Sequence, residues 1–155
     1  MGDHFDLAQA QVNKAQALTA LGEIDAALSA YSEALEREPN FPNYKTNAYL
    51  DFVLLVLNAR TTDLYARALE VLDEFQDRPL FPIDRYKAHG ARALILLELG
   101  RTAEARSSGK LALTAAAERR SGFRYHQNLG LVGNVEDEFN ARVTALAHAP
   151  GSYLN

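Results

Sequence analysis

The stretch Leu21-Gly22-Glu23-Ile24-Asp25-Ala26-Ala27-Leu28-Ser29-Ala30-Tyr31-Ser32-Glu33-Ala34-Leu35-Glu36-Arg37-Glu38-Pro39-Asn40-Phe41 decides the fold. It reads as a turn, a helix and a stop. Gly22 is placed to end a preceding helix, because it enters the left-handed backbone region without a Cβ penalty. Ile24, Ala27, Leu28, Tyr31, Ala34 and Leu35 then recur at three- and four-residue spacing, which is one face of a helix. Pro39 closes it. The small residues Ala27 and Ala34 allow a second helix to approach closely, and the ring of Tyr31 fills the gap beside them.

The preceding segment supplies that second helix, from about Phe5 to Leu21. Leu7, Ala15, Leu18 and Leu21 give it an apolar stripe, and alanines at 8, 10, 17 and 20 thin its surface. The order of Ala27, Tyr31, Ala34 and Pro39 resembles the second helix of a tetratricopeptide repeat. Residues 8–41 then match the roughly 34-residue length of that unit. The family's usual Trp, Leu and Gly of the first helix are replaced here by Gln11, Lys14 and Ala15, of which only Ala15 keeps the small size. The resemblance implies an all-α fold, a right-handed superhelix of antiparallel helix pairs with about seven helices.

Two further repeats are expected, at about 42–79 and 84–117. Helix three is expected from Asn43 to Ala59, with Tyr44, Ala48, Tyr49, Phe52, Val53, Leu55 and Val56 forming a face wide enough for contacts on both sides. Thr61-Thr62-Asp63 offers N-cap chemistry for helix four, Leu64 to Gln76, with Tyr65, Ala68, Leu69, Leu72 and Phe75 inward. Arg78 to Asp84 contains two prolines and is expected to be a non-helical linker, with Asp84 as the next N-cap. Helix five (Arg85–Leu99) carries Ala88, Ala91, Leu94, Ile95 and Leu97. Gly100 repeats the role of Gly22. Helix six (Thr102–Arg119) carries Ala105, Leu111, Ala112 and Ala115. Gly109 takes the place of Tyr31, and Phe123 is the candidate to fill the space a ring would leave. Residues 120–133 lack a helical period and form an irregular loop. A capping helix at 134–148, opened by Asn134, carries Phe139, Val143 and Leu146 and covers the last apolar face of the stack. The 155 residues are read as one domain.

Composition narrows the function. Hydrophobic residues make up 48% and charged residues 23%, ordinary for a globular chain. There is no cysteine, so a disulfide framework and thiolate catalysis are excluded. The net charge of −4 argues against a surface devoted to nucleic acid. The longest apolar run, Phe52 to Leu57, is far shorter than the roughly 20 residues of a membrane span. His4, His89, His126 and His148 are scattered, and no His-Glu-x-x-His pair, phosphate-cradling loop or nucleophile elbow is present. Glu36 and Glu38 read as solvated carboxylates on a helix exterior. The reading is therefore a non-enzymatic, cytoplasmic module with no cofactor or metal, whose partner is a protein or peptide; self-association is compatible with it.

Two surfaces are candidates. The resemblance implies a concave groove lined by first helices, where some family members clamp a terminal carboxylate with Lys, Asn and Arg. Asn47, in Tyr44-Lys45-Thr46-Asn47, matches the middle Asn, and Lys87 matches one basic position. Gln16 stands where the first helix has Asn, and Val12 and Ala91 occupy the other cationic places. An inter-helix hydrogen bond is the plain structural reading of Asn47. The second surface is the basic-aromatic segment Arg119, Arg120, Arg124, Tyr125, His126 and Gln127, suited to an anionic ligand or nucleic acid. Its structural reading is a loop pinned by Phe123, Leu129, Leu131 and Val132, with the arginines balancing the end of helix six.

Overall fold

A computed structural model describes residues 7–40, 45–133 and 137–150. Among them are seven α-helices and no strand: α1 (Leu7–Ala20), α2 (Ile24–Arg37), α3 (Ala48–Asn58), α4 (Tyr65–Glu74), α5 (Pro82–Glu98), α6 (Thr102–Ala116) and α7 (Glu138–His148). The chain divides into two compact units, Met1–Glu74 and Phe75–Asn155.

In the first unit α1 pairs with α2, α2 with α3, and α3 with α4. The face expected for α2 is the one buried: Ala27, Leu28, Tyr31, Ala34 and Leu35 all lie in the core. The stripe on α1 differs from expectation. Leu21 is 72% exposed and Leu7 also faces solvent, while Ala8, Val12 and Ala15 are buried. These recur at four and three residues, and their small size lets α1 lie close to α2.

Helix α3 begins five residues later than its pattern suggests. Glu38 is the cause, and it is not the solvated carboxylate expected. It is buried, and its Oε1 accepts both the backbone N–H of Thr46, at 2.8 Å, and the Thr46 hydroxyl. The Thr46 oxygen in turn accepts the N–H of Ala48 at 3.1 Å. The carboxylate thus claims Thr46 for the turn, and the helix starts beyond it. Tyr44 and Asn43 lie outside the described residues. From Ala48 onward the wide face is as expected, with Leu50 and Leu57 buried as well. A short 3-10 turn at Thr62–Leu64 precedes α4, and Thr61 makes no side-chain cap. On α4 the residues Tyr65, Ala68, Leu69 and Leu72 are buried as expected, together with Val71.

The turn between α1 and α2 is closed by Gly22 N–H to Thr19 O and Glu23 N–H to Leu18 O, with Gly22 at φ +77°. This is the Schellman arrangement. The turn after α3 has the same bonds, Arg60 N–H to Leu57 O and Thr61 N–H to Val56 O, but its left-handed residue is Arg60, at φ +52°. A side chain in that region costs about 1–2 kcal/mol, and glycine gives back part of the relief through its freer unfolded chain. Arg60→Gly is therefore expected to stabilise the first unit by about 0.5–1 kcal/mol in denaturant unfolding. Unchanged or lower stability would contradict the turn assignment.

In the second unit α5 and α6 form a hairpin through an identical turn at Gly100, φ +76°. Helix α5 starts earlier than expected. Phe81 is the extended N-cap residue (φ −93°, ψ 151°) and Pro82 is the first helical residue, so Asp84 lies inside the first turn. Proline constrains the residue before it to extended geometry and is itself suited to a helix start. Ala88, Ala91, Leu94 and Ile95 are buried as expected, whereas Leu97 and Leu111 are exposed and Leu96 is buried instead. Helix α6 ends at Ala116 rather than Arg119.

Helix α7 packs on both α5 and α6. Asn134 lies outside the described residues, and Asp137 caps α7 by accepting the N–H of Asn140 at 2.7 Å. The space beside Gly109 is filled by α7 itself: a Cβ there would lie 3.5–3.6 Å from Ala147 Cβ, Cα and N. Phe123 instead stacks on Phe81, with ring centroids 5.1 Å apart. Gly90 on α5 performs a similar service for Phe139, which sets its edge against Tyr86 at 5.7 Å. Val143 and Leu146 are buried as expected.

Candidate functional site

The exposed face of α1 carries Gln9, Asn13 and Gln16, spaced to lie along one side of the helix. Gln9 Nε2 donates to Asn13 Oδ1 at 3.0 Å, and Gln16 Nε2 donates to Asp51 Oδ2 at 3.4 Å across to α3. Asp51 is one turn into α3 from Asn47, whose carbonyl accepts the N–H groups of Leu50 and Asp51, each at 3.0 Å. Asn47 is the N-cap residue of α3. It is exposed, and its side chain caps nothing. Gln16 on α1 thus bonds Asp51 on α3, one turn along from Asn47. No inter-helix hydrogen bond from the Asn47 side chain is present among the described residues.

The Asp51 carboxylate also acts on Tyr31. Burial is the main reason its phenol is pushed up to about 12; the negative charge of Asp51 adds to this, and a hydrogen bond with Thr19 works against it. Thr19 Oγ1 donates to the Ala15 carbonyl at 2.8 Å. Tyr31 thus rises from α2 and is influenced by Thr19 on α1 and by the Asp51 carboxylate on α3.

Over residues 8–41, α1, the Gly22 turn, α2 and the stop at Pro39 match the family model described as tetratricopeptide repeat. The match covers one repeat-length segment of the chain. No curated protein and no solved structure matches the chain. A repeat of this kind suggests a protein–protein interaction module.

Two of the cationic places of a carboxylate clamp hold buried apolar residues. Val12, in a cationic place of that clamp, is 2% exposed inside the repeat, and Ala91 in the second unit is 0% exposed. Lys87 lies half-buried on α5, also in the second unit. Asp51, missed in the sequence reading, puts a negative charge where a bound carboxylate would need a positive one. Its role had no sequence signal, because Gln16 lies 35 residues away.

On the other side of α2 an open cleft of about 410 Å³ is lined by Asp25, Leu28, Ser29, Ser32, Glu33, Glu36, Thr61 and Leu64. No group of three or more metal-ligating side chains occurs among the described residues, and none of their helices is long and apolar enough to cross a membrane.

In the second unit the loop following α6 is tied internally. Ser121 is buried; its N–H donates to Gln127 O at 2.6 Å and its hydroxyl to His126 O. His126 N–H donates to Phe123 O at 3.2 Å and Leu129 N–H to His126 O at 3.0 Å. The expected hydrophobic pins are only partly right: Phe123 stacks on Phe81, but Leu129 is exposed. The closest anchor is Gly130, whose carbonyl accepts the N–H of Ile83 at 2.8 Å. Arg119, Arg120, Arg124, Tyr125 and His126 all face solvent.

Proposed function

We propose that the first unit binds an extended peptide segment of a protein partner on the joined faces of α1 and α3. The observation that supports this reading is the Gln16–Asp51 hydrogen bond, which links a polar residue of α1 to one of α3. Gln9, Asn13, Gln16 and Asn47 supply carboxamides along it. A carboxamide both donates and accepts, so a row of them suits the alternating N–H and C=O groups of an extended main chain. Asp51 adds selectivity for a segment bearing Lys, Arg or a free amino terminus, and it disfavours a terminal carboxylate. Main-chain recognition of this kind tolerates sequence variation, and the acidic position sets the preference.

The test is selection of peptides from a random display library with the full chain, followed by titration against Gln16→Ala, Asn47→Ala and the double variant. Each lost hydrogen bond is worth about 1 kcal/mol, so each single change is expected to weaken binding about fivefold. Asp51→Asn is expected to remove the enrichment for basic residues. Peptides that bind the double variant as tightly as the unaltered chain would place the site elsewhere.

A further inference from the structure

We infer that the loop after α6 is a second binding site, for a short stretch of single-stranded nucleic acid. It stands apart from the peptide reading, since every residue involved belongs to the second unit.

Three observations carry it. First, the charge is concentrated: from Arg119 to Gly133 the chain has no Asp or Glu, in a protein of net charge −4. The nearest carboxylate in sequence, Glu118, is engaged by Arg85 at 2.6 Å. Neither Arg119 nor Arg120 enters an ion pair with a described residue, so both guanidinium groups remain available to a phosphate. Second, the loop is held in shape by the Ser121, Phe123 and His126 bonds, by the Phe81–Phe123 stack and by the Gly130 anchor. A site whose backbone is already ordered loses less conformational freedom on binding. Third, Tyr125 is 83% exposed, and the Arg124 guanidinium lies 5.6 Å from its ring centroid. An exposed tyrosine ring offers a face on which a base can stack.

Together these put a stacking ring and three phosphate-gripping cations in one short loop. Arginine binds phosphate bidentately, and a tyrosine face accepts any base. An acidic peptide would satisfy the arginines but leave Tyr125 without a role. A duplex keeps its bases stacked on one another, so an unpaired strand fits better. The acidic remainder of the protein repels a polyanion, which confines the contact to the loop and makes the footprint short.

The experiment is fluorescence anisotropy of the full chain with a labelled oligouridylate of about twelve nucleotides, spanning the usual footprint of such sites. Three neutralised phosphates predict a slope of about −2 in log affinity against log salt between about 50 and 200 mM. Changing Arg119, Arg120 and Arg124 together to Ala is expected to abolish binding. Changing all three to Lys is expected to keep the slope. Tyr125→Ala is expected to weaken binding about tenfold, and Tyr125→Phe to leave it within twofold. All of these side chains are exposed, and circular dichroism checks that each variant stays helical. Absence of saturable binding at 50 mM salt, equal affinity for the matching duplex, or indifference to Tyr125→Ala would overturn the proposal. Competition by polyglutamate as effective as by the unlabelled oligonucleotide would reassign the loop to an acidic protein.

Discussion

Tyr31→Ala is expected to destabilise the first unit by about 3–5 kcal/mol, the usual cost of removing a buried aromatic ring. The ring is almost fully buried and stands where α1, α2 and α3 meet. Its neighbours Ala27 and Ala34 are also buried and have no atoms to spare for the void. Tyr31→Phe keeps the ring and removes only the buried hydroxyl, so it is expected to cost about 1 kcal/mol. The two variants also separate in pH dependence. The phenol's ordinary value is 10 and its folded value about 12, so the folded state holds this proton more tightly than the unfolded chain does. Below pH 10 the phenol is protonated in both states and its contribution to stability is complete. As the pH rises from 10 toward 12, the unfolded chain ionises first and that contribution is lost. The stability gap between the unaltered chain and Tyr31→Phe should therefore shrink across this window. Denaturant titrations at pH 8 and pH 11 measure it, and a constant gap would contradict the burial assigned to the phenol.

Gly130→Ala is expected to destabilise the second unit by about 2–4 kcal/mol through two independent effects. Gly130 has φ +68°, where any side chain is strained by about 1–2 kcal/mol. A Cβ at this position would also lie 2.5 Å from Phe81 Cβ and 2.6 Å from its Cγ and Cδ1, so the loop must retreat. Such overpacking costs about 1–3 kcal/mol. Retreat would break the bond from Ile83 N–H to Gly130 O, one of the donors that a helix start leaves without an internal partner. It would also disturb the Phe81–Phe123 stack. The amide of Ile83 should exchange with solvent faster in the variant, which reports the loop directly. Phe81→Ala combined with Gly130→Ala relieves the clash and retains the strain, so the pair should cost less than the sum of the single changes. Strict additivity would show that the ring and the glycine are not in contact.

Much of the fold was legible because it is local. Gly22 and Gly100 end helices where a glycine interrupts an apolar period. The buried faces of α2, α3 and α4 follow from spacing alone. The misreadings have distant or unperiodic causes. The start of α3 depends on Glu38 reaching Thr46. The space at Gly109 is filled by Ala147, from a helix far along the chain. On α1 the buried residues are the small ones, Ala8, Val12 and Ala15, so size ranked the larger Leu7 and Leu21 wrongly. Pro82 was read as a breaker because proline restricts its predecessor; that restriction fell on Phe81 and left Pro82 free to open α5.

The candidate surfaces were legible to different degrees. Arg119, Arg120, Arg124 and Tyr125 are neighbours in sequence, and their exposure follows from the lack of a helical period. Asn47 and Gln16 could be named singly, but the bond from Gln16 to Asp51 depends on how α1 lies against α3. No pattern within either helix encodes that contact.

The most direct test of the peptide-binding surface is to follow backbone amide resonances of the full chain during titration with a selected peptide. Binding as described predicts shifts concentrated at Gln9, Asn13, Gln16, Asn47 and Asp51, with the α2 residues Asp25, Ser29, Ser32 and Glu36 unmoved. Shifts confined to those α2 residues, or to Arg119 through His126, with α1 and α3 silent, would contradict it.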